Sequence, residues 1–398
     1  MSGSLSRRQW LITSGLGAGA SFALPRMLPA MRASHAFADI DALAELDAPV
    51  DYVALEREVT AARRAAGPVR LAFNENPFGM SPKAKAAIMT NWDQHNKYQL
   101  PAVGELKKVF AKHAGVAPDN VLVTQGSGEV LDIAALAYSM HGGEIVSAWP
   151  TFEGLPRYAE SIGATVHKIP LDSALGHDFA AMDRRITNAV DLVYVCNPNN
   201  PTGTLADTKV LHDFVASASR RAVVLVDEAY HDFVDDPSYR SCIDMVLKGE
   251  NVIVARTASK IHGMAAMRVG FAIARPDIIE RLAKCATGTP NIFGVQATMA
   301  SIGDTEYQDF VKAKNREGRA LLTDTLTKMG KRVAPSAANF LFFQAGMPAE
   351  TVRVAMLAKG FMVGRAFPPY NDWVRVSIGT PEEMKEFVKA LPGAMAGA

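Results

Sequence analysis

The chain predicts an α/β protein: a large domain on a mostly parallel seven-stranded sheet covered on both faces, followed by a small α+β C-terminal domain. Three observations point to it. Apolar runs of strand length alternate with helical stretches from about Glu105 to Ala274, the pattern of parallel strands joined by crossover helices. Polar and glycine-rich clusters follow those runs, where open α/β sheets bind ligands. From about Asn291 the chain has fewer strands, at Phe340-Leu341-Phe342-Phe343 and Val374-Arg375-Val376, with helices between them.

Taken in order, the chain opens with Ser6-Arg7-Arg8-Gln9-Trp10-Leu11-Ile12, then a mild apolar stretch rich in small residues up to Leu24. Ala36-Phe37-Ala38 offers a small-x-small cleavage site before Asp39. This is the layout of a signal peptide of twin-arginine type over residues 1–38, and it places the mature protein in the periplasm or outside the cell. A disordered basic leader and an uncleaved anchor are the competing readings. The apolar run is too short and too diluted by Gly and Ser for a membrane span. Export of that kind moves folded proteins, so a cofactor captured in the cytoplasm would travel inside the fold.

Residues 39–104 form an N-terminal segment, helical and Ala-rich to about Arg70, that lies over a dimer contact or a site entrance. Residues 105–290 form the large domain, with strands near Val121, Ile145, Val166, Val193, Val224, Val252 and Phe271. A helix over about Pro276 to Ala286 leads to the small domain, residues 291–398.

At 398 residues, 48% hydrophobic and 21% charged, the chain has enough apolar material for about two ordinary domains. A net charge of +1 gives no reason to expect nucleic acid or an anionic membrane as partner. Cys196, Cys242 and Cys285 are widely spaced and do not suggest a disulfide framework; no zinc-type spacing appears, so no metal is expected.

Four segments carry chemistry. Asn120 to Asp132 reads as a strand, the turn Gly126-Ser127-Gly128, then a helix start, and a phosphate is at home on the N–H groups there. Asp191 to Gly203 is a β-branched strand ending in Asn197-Pro198-Asn199-Asn200-Pro201-Thr202-Gly203. Ala222 to Tyr230 is a strand ending in Asp227-Glu228-Ala229-Tyr230. Arg256-Thr257-Ala258-Ser259-Lys260 follows the run Val252-Ile253-Val254, with Arg268 eight residues after the lysine. An amine, hydroxyls and a guanidinium at this spacing suit a covalently held phosphorylated aldehyde. Singly, each segment has a bland reading: a loop lysine, a turn, a helix cap, a tight connection.

Together, in this order, they resemble the fold-type I pyridoxal 5′-phosphate aminotransferases, nearest the histidinol-phosphate aminotransferase branch, from about Leu71 to Thr380. The resemblance implies that Lys260 carries the cofactor and then moves the substrate proton. It gives Asp227 the task of keeping the pyridine nitrogen protonated, and Asn200 and Tyr230 that of holding the ring oxygen. Thr257, Ser259, Arg268, Ser127 and Gly128 would hold the phosphate, and Phe152 would stack on the ring, core packing being its alternative. Arg375 would grip the substrate's carboxylate or, as in the histidinol-phosphate branch, its phosphate, against the reading of a surface arginine on an edge strand. Tyr98 would reach the cofactor phosphate of a neighbouring subunit, making the protein an obligate homodimer with shared sites. Phe73 to Gly79, with Asn76 as substrate contact, would line the entrance.

Some positions depart from the family pattern. His262 stands where an aromatic is more usual and reads as a second acid/base or, preferably, a packed core histidine. Ala266 replaces a usual glycine. The segment Val363 to Tyr370 is short, and Arg365 falls out of register, so a second phosphate contact does not carry over. Histidine biosynthesis is cytoplasmic, which also speaks against histidinol phosphate; a free amino acid or an amine on an exported metabolite fits better. The reading is therefore an aminotransferase passing an amino group to a 2-oxo acid. The alternatives are another reaction of the same cofactor, such as amino-acid oxidation, and a non-enzymatic exported solute-binding protein, which needs no lysine beside a phosphate cradle.

Overall fold

The computed structural model describes residues 50–396; the expected signal peptide lies outside them. The central sheet has seven strands: β2 (Val121–Thr124), β3 (Glu144–Trp149), β4 (Thr165–Pro170), β5 (Val190–Cys196), β6 (Val223–Asp227), β7 (Val252–Thr257) and β8 (Gly270–Ala274). Their order is β2-β8-β7-β6-β5-β3-β4. Only β8 runs against its neighbours β2 and β7, so the carboxyl ends of the other strands share one edge.

The strands read as unbroken apolar runs because both faces are covered. Val193, Val195, Val224, Val226 and Val254 enter one core, while Leu192, Tyr194, Leu225, Ile253 and Ala255 enter the opposite one. Alternate residues of a strand point to opposite faces, so each strand feeds two layers at once.

The C-terminal region is built on β9 (Phe340–Gln344) with β11 (Trp373–Ser377), an antiparallel pair, and on β10 (Phe361–Val363). Its partner β1 (Val69–Leu71) comes from the start of the chain and runs parallel to β10. The helical expectation up to Arg70 is corrected here. The helix spans Tyr52–Ala65, capped by the Asp51 carboxylate, and stops before Gly67, at φ 113°, and Pro68. Rather than lying over an entrance, it docks on the helix Pro381–Ala396 and the turn before it. Thr60 bonds Thr380 at 3.0 Å, and the Arg63 guanidinium meets the buried Glu383 carboxylate at 2.7 Å.

The boundary expected at 291 also shifts. Val295, Ala297 and Ile302, on the helix Ile292–Ile302, pack in the same core as Val121 and Phe271 of the large sheet. The apolar content of that helix conveys burial but not which sheet buries it.

Candidate active site

A cleft of about 850 Å³ opens at the shared carboxyl edge of the sheet and is closed on one side by the C-terminal region. Lys260, Asp227, Tyr230, Asn200, Phe152, Ser127, Gly128, Thr257, Ser259, Arg268 and Arg375 all line it. The cleft thus brings together residues of the central sheet's edge and Arg375 of the C-terminal β11.

Asp227 ends β6 and is buried. Its Oδ1 accepts from the Ala229 N–H at 3.1 Å and its Oδ2 from the Tyr194 hydroxyl at 3.2 Å. Burial raises its carboxyl to about 6, and the two donors and Lys260 oppose that rise. Tyr194 had no role in the sequence reading. Its signal was positional: Cys196 pairs with Asp227 across β5 and β6, so a tyrosine two residues earlier sits on the same face.

Lys260 donates from Nζ to the carbonyls of Phe73 at 3.3 Å and Asn74 at 3.1 Å, and lies 5.6 Å from the centre of the Tyr230 ring. Burial lowers its amine to about 8, with Arg375 contributing in the same direction. Near neutrality a useful fraction of this amine is free of its proton.

The phosphate cradle forms where β2 turns into the helix Ser127–Ser139. Arg268, in a left-handed conformation at φ 54°, donates to the carbonyls of Ala265 at 2.9 Å and Gln125 at 3.3 Å. A Cβ on Gly126 would collide with that guanidinium, and one on Gly270 with the backbone of Gly126 and Ser127. Only bare glycines let the turn close on the arginine. The Thr257 hydroxyl donates to Ser259 Oγ at 2.9 Å, so both hydroxyls face the same spot.

Phe152 is 41% exposed and belongs to the cleft, not to the core. Gly154 makes room for it, because a Cβ there would lie 2.7 Å from the ring. Arg375, on β11, donates to Asn200 Oδ1 at 2.5 Å and to the Ala72 carbonyl at 2.6 Å. Burial lowers its guanidinium to about 10.

One expectation needs correction. Asn76 does not line the cleft: its Nδ2 donates to the Ile261 carbonyl at 2.8 Å and its Oδ1 accepts from the Phe78 N–H, fastening the lysine loop from behind. Asn74 faces the cleft instead, because its left-handed φ of 56° reverses which side the segment presents. Arg365 lines the cleft mouth. His262 stays outside the cleft; its Nδ1 is 2.8 Å from Ser301 Oγ beside a separate cavity of about 220 Å³, and burial lowers its imidazole. Tyr98 is 99% exposed and does not line the cleft of its own chain. Among the described residues no His, Cys, Asp and Glu cluster could hold a metal.

Residues 66–391 match the family of class I and II aminotransferases. The chain belongs to that family. It is 36% identical over 320 residues to the histidinol-phosphate aminotransferase of Limosilactobacillus fermentum, covering 79% of this chain and 87% of the relative. It is 34% identical over 331 residues to the aromatic amino acid aminotransferase of Cutibacterium acnes, covering 83% and 93%. In fold it is similar to the histidinol-phosphate aminotransferase of Sinorhizobium meliloti, solved with pyridoxal 5′-phosphate, with a TM-score of 0.78 at 24% identity over 91% of this chain and 99% of that one.

The protein is a pyridoxal 5′-phosphate-dependent aminotransferase of fold type I, similar to the histidinol-phosphate enzymes. The cradle, the amine and the buried carboxylate fit this cofactor in size and charge. When bound, it supplies an aldehyde that captures amines and a cationic ring that withdraws electrons. Lys260 Nζ would hold it and, when free of it, could move a substrate proton; Asp227 would keep a proton on the ring nitrogen; Arg268, Thr257 and Ser259 would hold the phosphate. Asn200 and Tyr230 would present hydrogen-bonding groups to the ring oxygen, and Arg375 would orient a donor's carboxylate.

Proposed function

We propose that this aminotransferase takes its amino group from a free amino acid or amine and passes it to a 2-oxo acid, in the periplasm, as a homodimer. The observation that carries the transfer is Lys260, with an amine lowered to about 8, in one cleft with the buried Asp227 and with Arg375. The fully exposed Tyr98 supports sharing of sites between two subunits. Arg7-Arg8 with the small-residue stretch behind it supports twin-arginine export. The short segment before Arg375 and that export favour a free amino acid over the phosphate ester named for the relatives.

Purified, cofactor-loaded protein is titrated anaerobically with pools of amino acids while the cofactor band is followed. One pool should bleach the band and a 2-oxo acid should restore it. A band that merely shifts, with turnover beginning on admission of air, would replace transfer by oxidation. For export, Arg7→Lys with Arg8→Lys should leave the protein in the cytoplasm; unchanged delivery would remove the assignment.

A further inference from the structure

The cleft mouth holds a charge arrangement that amino transfer itself does not require. Glu153 immediately precedes the helix Gly154–Ser161 on the side of the large sheet, its carboxylate free of any capping bond, and Arg365 follows β10 in the C-terminal region. The two meet across the mouth, Glu153 Oε1 to Arg365 Nη2, at 2.6 Å. Arg365 also donates from Nη1 to the Ala366 carbonyl at 2.7 Å. Its guanidinium lies 4.6 Å from the centre of the Phe367 ring, and the guanidinium of Arg375 lies 4.8 Å from the same ring. One aromatic ring therefore carries an inner and an outer cation, and only the outer one is met by a carboxylate.

The other cations at the mouth are Arg353, which has Glu350 on its own helix at 2.5 Å, and Arg157, 77% exposed and 3.9 Å from Glu153 Oε2. Glu153 and Arg365 are both close enough to Arg375 to act on its proton, in opposite directions.

We infer that Glu153 is a specificity-determining residue that occupies Arg365 and thereby selects amino donors whose distal group is uncharged. The inference rests on the donor reading above, but the charge selection is a property of the cleft alone. A donor anchored through its carboxylate at Arg375 and bearing a second anion would look to Arg365, the cation on the same ring. That anion would have to displace Glu153 and then remain beside its carboxylate, a like-charge contact that weakens binding by about tenfold or more. A cationic distal group would face Arg157, Arg353 and Arg365. A flat, uncharged group meets the Phe367 ring at the mouth without a like-charge contact.

The test uses matched pairs on cofactor-loaded protein: 3-phenylpropanoate against its 4-carboxy derivative as unreactive ligands, read from the cofactor band, and phenylalanine against 4-carboxyphenylalanine as donors. The wild type should favour the uncharged member of each pair by about tenfold or more. Glu153→Gln keeps shape and removes the charge, and should shrink both ratios by about fivefold or more, with Glu153→Asp restoring them in part. A wild type that shows no preference, or one for the dianion, overturns the inference, and so does a ratio unmoved in Glu153→Gln. If neither amino acid is turned over while the two ligands differ as stated, the charge filter stands and the transfer reading falls.

Discussion

Asn74 donates from Nδ2 to the hydroxyl oxygen of Tyr230 at 2.9 Å, while its backbone carbonyl receives Lys260 Nζ at 3.1 Å. Its Oδ1 accepts from the Ser377 hydroxyl, and the Asn339 amide donates to the same backbone carbonyl. A single buried residue thus links the lysine, the tyrosine and the C-terminal region. Asn74→Ala should lower kcat/KM by about tenfold or more, as expected for losing a buried hydrogen bond that sets a reacting group. Asn76→Ala should act mainly on unfolding, with a loss of about 1–3 kcal/mol. Steady-state kinetics and denaturant unfolding on the two variants separate the roles; equal kinetic effects would contradict the assignment.

The bond from Tyr194 to Asp227 favours the charged carboxylate. In Tyr194→Phe the carboxyl rises further above its ordinary value, so the acid limb of the rate profile, below which the carboxylate is lost, moves to higher pH. Asp227→Asn, which cannot hold a proton on the ring nitrogen by charge, should lower kcat by about 100-fold or more. An unmoved acid limb in Tyr194→Phe would mean that the contact is only packing.

Lys260 must be deprotonated to capture an aldehyde. With its amine lowered to about 8, the rate of cofactor uptake by cofactor-free protein should rise with pH and level off just above 8. An exposed lysine would go on rising beyond pH 10. Arg375 helps depress this amine, so Arg375→Gln should move the limb upward. Stopped-flow uptake from pH 6 to 10 decides it; a downward shift would reverse the sign of the coupling.

Glu228, next to Asp227, has a different task. Its buried carboxylate meets Arg256 at 2.7 Å and accepts from the Cys242 N–H and the Ser241 hydroxyl. Glu228→Gln leaves the largely buried Arg256 without its counter-charge and should destabilise the fold by about 3 kcal/mol. Thermal and denaturant unfolding measure it, and a wild-type midpoint would show that Arg256 finds another partner.

The sheet and most of the cofactor pocket were legible because their signals are local. Apolar runs mark β5, β6 and β7, and the residues that end them must then share an edge, so Asn200, Asp227 and Lys260 converge by topology alone. Asn76 was misread because one left-handed residue, Asn74, reverses the side that the segment presents; asparagine favours positive φ more than most residues, but the sequence does not tell which of the two does so. Tyr194 was hidden inside a strand, where tyrosine ordinarily signals packing. The pairing of β1 with β10 joins residues 292 positions apart, Val69 with Phe361, and its three-residue strands offer no register to read.

The connection from β7 to β8 begins at Thr257 and ends at Gly270, which pair with each other at its base. Lys260 and Arg268 both stand on this closed loop, so an amine that would anchor the cofactor and a guanidinium that would clamp its phosphate form a two-point tether on one local scaffold. With one attachment open, the other would keep the cofactor at high effective concentration. The lysine could then be freed at each turnover without loss of the prosthetic group.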